Sequence, residues 1–283
     1  MQSASADLIF ANEADPAFRR RARWIEDALR SRLADAPMRL VDIGCGRGFY
    51  FPLYQDLGIR VTGVERDADP LAIALLRGQS IGADIVEGSA ETLPFADGGF
   101  EIAVLSEILE HLDDPVAALR EAHRVLAKDG MLLVTVPHAN YPFLWDPINW
   151  VLDRTTQRPI RRGPLAGIWA NHVRLYTSEE VMAQITAAGF RVEQVALQTH
   201  HCMPFVHNIV YGLGRPLLER RLLPESWAQS AERASGPQKR ESRWFNPVAL
   251  GISLIQWFDS FNGDSEPPGR SSQNICVRAV RID

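Results

Sequence analysis

The spacing of apolar positions shifts along the chain, and each shift marks an element. Phe18, Ala22, Ile25, Leu29 and Leu33 recur at three and four residues, which predicts a helix over 16–33. Pro16 stands where a first-turn proline is tolerated, and Arg19, Arg21, Arg30 and Arg32 fall mostly off the apolar stripe. The period then shortens. Residues 39–43 form a brief apolar run that ends in glycines, as a buried parallel strand does. Helical segments follow at 49–57, 70–79 and 114–126, alternating with strands at 60–65, 83–88, 100–105 and 131–136. Alternation of this kind requires right-handed crossovers and a doubly wound, mostly parallel sheet.

After residue 137 the alternation stops. Residues 138–176 are rich in proline and aromatics, among them Tyr141, Phe143, Trp145, Trp150 and Trp169. Thr177 with Glu179 and Glu180 then gives a helix start with a hydroxyl cap, and Gly189 ends that helix. A sixth strand is predicted over 190–197 and a last one over 273–282. Between them, 203–262 holds two apolar helices. One carries Val206, Ile209, Val210, Leu213 and Leu217; the other is apolar nearly all round. The fold expected is α/β, a Rossmann-like sheet of seven strands, the last antiparallel, with two inserted, mostly helical cap segments. Its parts are an arm and helix (1–37), a core (38–138 with 171–202 and 273–283) and the insertions (139–170 and 203–272). Residues 1–15 read as a loose or docking arm, and 236–239 and 263–272 as flexible loops.

Composition narrows the class. The chain has 283 residues, of which 46% are hydrophobic and 23% charged, so it can bury a full core. Thirty basic residues against 35 acidic give a net charge of −5, which argues against nucleic acid as a partner. Three cysteines, Cys45, Cys202 and Cys276, do not make a disulfide framework. With no signal peptide read in the first residues and no long apolar run, a cytoplasmic protein is expected.

The chemistry lies in Val41-Asp42-Ile43-Gly44-Cys45-Gly46-Arg47-Gly48, a glycine-rich turn from a strand into a helix. Glycines there let a ligand approach the backbone with no Cβ in the way. Glu65 ends the second strand 23 residues after Asp42, where an acid accepts hydrogen bonds from ribose hydroxyls in dinucleotide folds. Residues 88–95 add a polar turn after the third strand, and the three loops converge on one crevice. A nicotinamide enzyme would favour a glycine at 49, where this chain has Phe49.

With VDIGCGRG, VTGVERD, GSAETLPF, FEIAVLSEILEHLDDP and VLAKDGMLLVTVP, the chain resembles the class I S-adenosylmethionine-dependent methyltransferases, in the group that includes the ubiquinone/menaquinone-biosynthesis type. The resemblance covers 38–137 well and 171–190 more loosely. It implies S-adenosyl-L-methionine as cofactor and S-adenosyl-L-homocysteine as product. It also implies that Asp42, Gly44, Gly46 and Gly48 shape the methionine loop. Glu65 would hold the ribose diol and Arg66 flank the adenine; Ala90 and Glu91 would meet the adenine edge, and Ser106 would lie under the methionine. Ser89 stands where the family often has an acid.

The acceptor expected is a small hydrophobic molecule, acidic or lipid-like. Two other functions are weighed against transfer: S-adenosylmethionine binding without transfer, and nicotinamide-dependent oxidation. Candidate catalytic groups are His138, Tyr141 and His172, with His111 in the Glu-His-Leu segment. His200-His201-Cys202 has no second cluster and does not read as a metal site, so none is expected. Five arginines against one aspartate over 153–174 suit an acidic head group or a membrane surface. The apolar helices of 203–262 can be buried as an active-site cap hinged at 163–164 and 236–237, against a membrane surface, or in a dimer.

Overall fold

β-branched and aliphatic runs too short for helices build the sheet. In the computed structural model, which describes residues 5–33, 38–228, 230 and 246–283, seven strands pair in one sheet of order β3-β2-β1-β4-β5-β7-β6. They are β1 (Arg39–Ile43), β2 (Arg60–Glu65), β3 (Asp84–Glu87), β4 (Phe100–Ser106), β5 (Leu126–Pro137), β6 (Phe190–Gln198) and β7 (Asn274–Arg281). β1 to β5 pair in parallel, and β7 runs antiparallel to both β5 and β6. β6 therefore runs with β5, and both release their insertions at the carboxyl edge of the sheet. The order reverses at β1 and β4, and a crevice opens at such a switch point.

The helices in chain order are α1 (Ala6–Ile9), α2 (Pro16–Arg30), α3 (Phe51–Asp56), α4 (Ala68–Ile81), α5 (Pro115–Val125) and α6 (Pro147–Thr156), then α7 (Ser178–Ala187), α8 (Arg215–Glu219), α9 (Glu225–Ala228) and α10 (Pro247–Asp259). α7 starts with a reciprocal cap, the Thr177 hydroxyl accepting from the Glu180 amide and the Glu180 carboxylate from the Thr177 amide. Two apolar cores cover the two faces of the sheet, one under α5 and α7, the other under α2, α3 and α4. A third core joins Tyr141, Trp145 and Trp169 of the first insertion to Cys202, Val206 and Ile255 of the second, with Ala17 of α2.

Several expectations shift. α2 stops at Arg30, not residue 33. Leu126 already belongs to β5, whose register against β4 slips between Phe100 and Ile102. The first helix of the second insertion splits into a π-helical stretch, Asn208–Gly214, and α8. The 263–272 segment is tied down: the Glu266 amide bonds the Leu197 carbonyl at 2.6 Å, and Ser272 is buried. At the expected hinge Gly163 and Pro164 are exposed, and the Pro164 carbonyl accepts from Asn208 Nδ2 at 3.3 Å and lies against Gly212. The other hinge, Gly236-Pro237, and the 236–239 loop lie outside the described residues. The arm docks: the Ala6 amide bonds Glu26 Oε2 at 2.6 Å and Phe10 is fully buried.

α2 braces the second insertion through charge. Arg20 and Asp259 are both buried; Arg20 Nε bonds the Asp259 carboxylate, and its other nitrogens reach the carbonyls of Asp259 and Gly263 at 2.6 and 2.7 Å. Removing one partner of a buried pair strands the other charge, at roughly 3–5 kcal/mol. Arg20→Ala should lower the unfolding free energy by about that much in urea, and should expose the α10 segment to limited proteolysis. A loss under about 1 kcal/mol would show that the pair does not hold α10.

Candidate active site

The glycine turn between β1 and α3 has the geometry its residues require. Gly44, Gly46 and Gly48 have φ of 72°, 56° and 69°, in the left-handed region that side chains avoid. The amides of Gly44 and Cys45 both bond the Val64 carbonyl, folding the turn back over β2. A Cβ at Gly44 would lie 2.6 Å from Ile108, and one at Gly48 would enter the Phe51 ring. A Cβ at Gly46 would meet nothing within 4 Å. Gly46 is thus the glycine of the turn that faces open space, a cradle where a ligand can approach the backbone.

Glu65, at the end of β2, holds that cradle. Its Oε2 accepts from the Gly46 amide at 2.9 Å, and its Oε1 from the Arg66 and Asp67 amides at 2.8 Å each. Asp42 is buried in β1, its carboxylate accepting from the Tyr54 hydroxyl at 3.2 Å. Burial, with Glu65 adding like charge, pushes its carboxyl up to about 7. Arg66 is exposed beside Asp67. In the turn after β3, Ser89 Oγ accepts from the Glu91 amide and Ala90 is buried in the core under α5. Glu91 points to the start of α5, accepting from the Asp114 amide at 3.1 Å.

The segment after β4 runs beside the glycine turn, as the Gly44–Ile108 approach shows. Ser106 Oγ stands 3.2 Å from the Tyr50 hydroxyl and 2.9 Å from Thr135 Oγ1. Thr135 donates to Glu107 Oε1 at 3.1 Å, and Asn274 Nδ2 bonds the same oxygen. Arg21 reaches in from α2 to Glu107 Oε2 and to Asn274 Oδ1. Glu107 itself has a φ of 55°, a strained state for a side-chain-bearing residue that this network sustains. Buried Arg21 belongs to the site and not to a solvated helix face, as its position off the apolar stripe suggested.

Next along the chain Glu110 is fully buried, and neither carboxylate oxygen has a hydrogen-bond partner in the structure. Burial and the nearby Glu107 raise its carboxyl well above the usual range. Its Oε1 lies 3.8 Å from His111 Nε2 and 3.9 Å from His172 Nε2. Burial, then His111 and His207, lower the His172 imidazole to about 3. One proton can sit two ways here: neutral carboxyl beside neutral imidazole, or carboxylate beside imidazolium. Glu110, His111 and His172 each offer an atom within 4.8 Å of the others, a set that could also hold a cation. No reading of the sequence singled out Glu110, Glu107 or Tyr50 individually; the Glu-His pair in SEILEH was the available signal.

The remaining candidates stand apart. His138 is buried at the end of β5 with Nδ1 2.8 Å from Ser272 Oγ, and burial lowers its pKa. Tyr141 is fully buried in the third core, and its phenol is pushed up by burial, so it stays protonated. Neither joins the Glu110 cluster, whereas His172 does. His200 Nδ1 bonds the Ser271 carbonyl, His201 Nε2 meets Arg270, and Cys202 is buried, so that run anchors loops.

One cavity adjoins the cluster, and a second adjoins that one. A polar cleft of about 460 Å³ is lined by His111, Asn171, His172 and His207, and by Tyr211 and Arg215. An apolar cavity of about 430 Å³ lies between the π-helical stretch and α10, and Tyr211 and Arg215 wall it too. The cleft is thus built from the segment after β4 and from both insertions.

Comparison with known proteins agrees with this geometry. Residues 41–134 match the family model described as a methyltransferase domain. The chain is 30% identical over 126 residues to a ubiquinone biosynthesis O-methyltransferase of Pseudomonas aeruginosa, covering 42% of this chain and 51% of that one. It is 30% identical over 154 residues to a "probable S-adenosylmethionine-dependent methyltransferase" of Mycolicibacterium smegmatis, covering 54% and 52%. The chain therefore spans about half the length of the curated relatives it matches. Among solved structures, an S-adenosylmethionine-dependent methyltransferase of Methanosarcina mazei superposes with a TM-score of 0.54 at 15% identity, covering 90% of this chain and 97% of that one. The cyclase SpnF superposes at 0.53 and 19%, covering 92% and 80%. At these identities the likeness shows the fold alone.

Two variants test the site. Gly46→Val should abolish the rise in melting temperature that S-adenosylhomocysteine gives the protein, because a β-branched residue would fill the cradle at a positive φ; an undiminished rise would make the loop a turn only. Asp42→Asn isolates a titration. A carboxyl at 3.8 unfolded and about 7 folded destabilises the fold as pH climbs through that window, by roughly 1.4 kcal/mol per pH unit. The variant should gain on the parent in urea between pH 4 and pH 8, and a constant difference would contradict the burial of Asp42.

Proposed function

We propose that this chain is a class I S-adenosylmethionine-dependent methyltransferase, a reading supported by the methyltransferase-domain match over residues 41–134 and by the strand order of the sheet, and that it transfers a methyl group to a small amphiphilic acceptor carrying a hydroxyl. S-adenosylmethionine, when bound, supplies a sulfonium methyl that is displaced in line and leaves S-adenosylhomocysteine. The chain's own residues bind, orient and handle the proton. Glu65, holding three backbone amides, has one acceptor site left, on Oε2, for a ribose hydroxyl. Gly46 leaves room for the methionine part, and Ser106 with Tyr50 offers hydroxyls beneath it. Ser89, Ala90, Glu91 and Arg66 border the adenine side.

One observation carries the acceptor class: the polar cleft and the apolar cavity share Tyr211 and Arg215 as common walls. A polar head would lie by His172 and His111 and an apolar body in the adjoining cavity. The similarity to an enzyme named for ubiquinone-biosynthesis O-methylation supports a hydroxyl as the methylated group. His172, neutral in its buried setting, takes its proton as the oxygen bonds carbon, with the neutral Glu110 carboxyl 3.9 Å away. The insertions 139–170 and 203–262 act as the cap that excludes water.

The experiment supplies S-adenosylmethionine labelled with tritium in its methyl to the protein with a total lipid extract, and counts the organic phase. Label should enter that phase. His172→Gln should lower the rate about a hundredfold while S-adenosylhomocysteine binds as before. Label confined to the aqueous phase would favour a water-soluble acceptor or binding without transfer. An unchanged rate in His172→Gln would remove it as the base.

A further inference from the structure

The second insertion has an outer face as well as an inner one. Along α10, Ala249, Ile252 and Ile255 are buried, while Leu250, Leu254 and Trp257 are about half exposed, with Phe261 continuing the stripe beyond the helix end. α10 carries no charge except Asp259, which is buried against Arg20. A helix on the surface of a soluble domain presents polar residues outward; this one presents leucine and tryptophan. Across the apolar cavity, Ile209 and Leu213 of the π-helical stretch are also exposed, and they border that cavity together with Val248 and Ile252. The first insertion extends the face. The Phe205 amide bonds the Leu144 carbonyl at 2.9 Å, and both side chains are exposed, as are Phe143 and Leu165. Scattered apolar residues on a surface need no explanation, but a helix without exposed charge that carries an exposed stripe of Leu250, Leu254 and Trp257 does.

The charge nearby has one sign in excess. Residues 139–174 carry five arginines against Asp146 and Asp153; residues 203–228 carry three against Glu219 and Glu225. The whole chain is at −5. Arg158, Arg162, Arg220 and Arg221 are exposed, the last two next to Leu222, which is 63% exposed. Exposed basic side chains on the same two insertions as an exposed apolar helix stripe that includes Trp257 complement an anionic interface. A twofold dimer through the same face would set arginines against arginines. Among the described residues no helix is long and apolar enough to cross a membrane, so the contact is peripheral.

We infer that the outer face of the two insertions docks on an anionic lipid bilayer, with α10 lying in the interface. Leu254 and Trp257 would enter the headgroup boundary and the arginines would meet lipid phosphates. The mouth of the apolar cavity would then face the bilayer. Docking depends on the insertions alone and not on methyl transfer, so the test needs no cofactor.

The test is sedimentation of the purified full chain with vesicles of phosphatidylcholine alone or mixed with phosphatidylglycerol, at low and high salt. The protein should sediment with the anionic vesicles and be released by salt. Leu254→Glu with Trp257→Glu should weaken binding at least tenfold, with circular dichroism and the S-adenosylhomocysteine-induced rise in melting temperature unchanged. Arg220→Gln with Arg221→Gln should remove about fivefold per arginine, and only for the anionic vesicles. Protein left in the supernatant with anionic vesicles would overturn the inference, as would undiminished sedimentation of the Leu254/Trp257 variant. A dimer in analytical ultracentrifugation that the same variant dissolves would assign the face to a second copy instead.

Discussion

Three backbone amides, those of Gly46, Arg66 and Asp67, converge on the carboxylate of Glu65. That convergence fixes the glycine turn after β1 to the end of β2. Apart from it, the turn is tied to β2 by the two bonds from Gly44 and Cys45 to Val64 and closed on itself by the Gly48 amide on the Cys45 carbonyl. The turn in turn sets the neighbouring segment, because Gly44 packs on Ile108, two residues before Glu110. One charged side chain thus orders the binding cradle, and the contact carries that order to the histidine cluster. Charge-assisted bonds of this kind contribute about 1.5–3 kcal/mol each, so the three together outweigh the roughly 0.5–1 kcal/mol that ordering each of the three glycines costs.

The insertions need a support of a different sort. They leave the same edge of the sheet after β5 and β6, and they share an aromatic core with each other. α2 ties that core to the sheet. Arg20 holds Asp259 of α10, and Arg21, one residue on, enters the network of Glu107 and Asn274. Asp15, at the start of the same helix, accepts from Tyr211 at 2.6 Å. The N-terminal helix therefore braces both the segment under the methionine position and the wall common to the two cavities. Movement of the second insertion would have to break or carry these contacts.

Much of this was legible in the residue pattern. Every strand was visible, because short apolar runs flanked by glycine and proline leave few alternatives, and β1 and β2 were placed to the residue. The glycine turn and Glu65 were legible for the same reason: a positive φ and a strand-end acid leave local marks. Arg21, Tyr50 and Asn274 were not, since each meets the site from a distant part of the chain and nothing local distinguishes it. Glu110 sat within a recognised segment, yet its burial without a partner is a property of packing. Tyr141 and His138 looked reactive by position after β5, and packing put one in an aromatic core and the other against Ser272. The split of the first helix of the second insertion was equally invisible, because a π-helical stretch keeps an apolar spacing close to that of an α-helix.

The account stands on the claim that the crevice at the ends of β1, β2 and β3 is built for S-adenosylmethionine and its product. Titration calorimetry of the full chain with S-adenosylhomocysteine, beside NAD under the same conditions, measures that directly. The account predicts saturable one-to-one binding of S-adenosylhomocysteine and no heat from NAD. Binding of NAD with none of S-adenosylhomocysteine would contradict it.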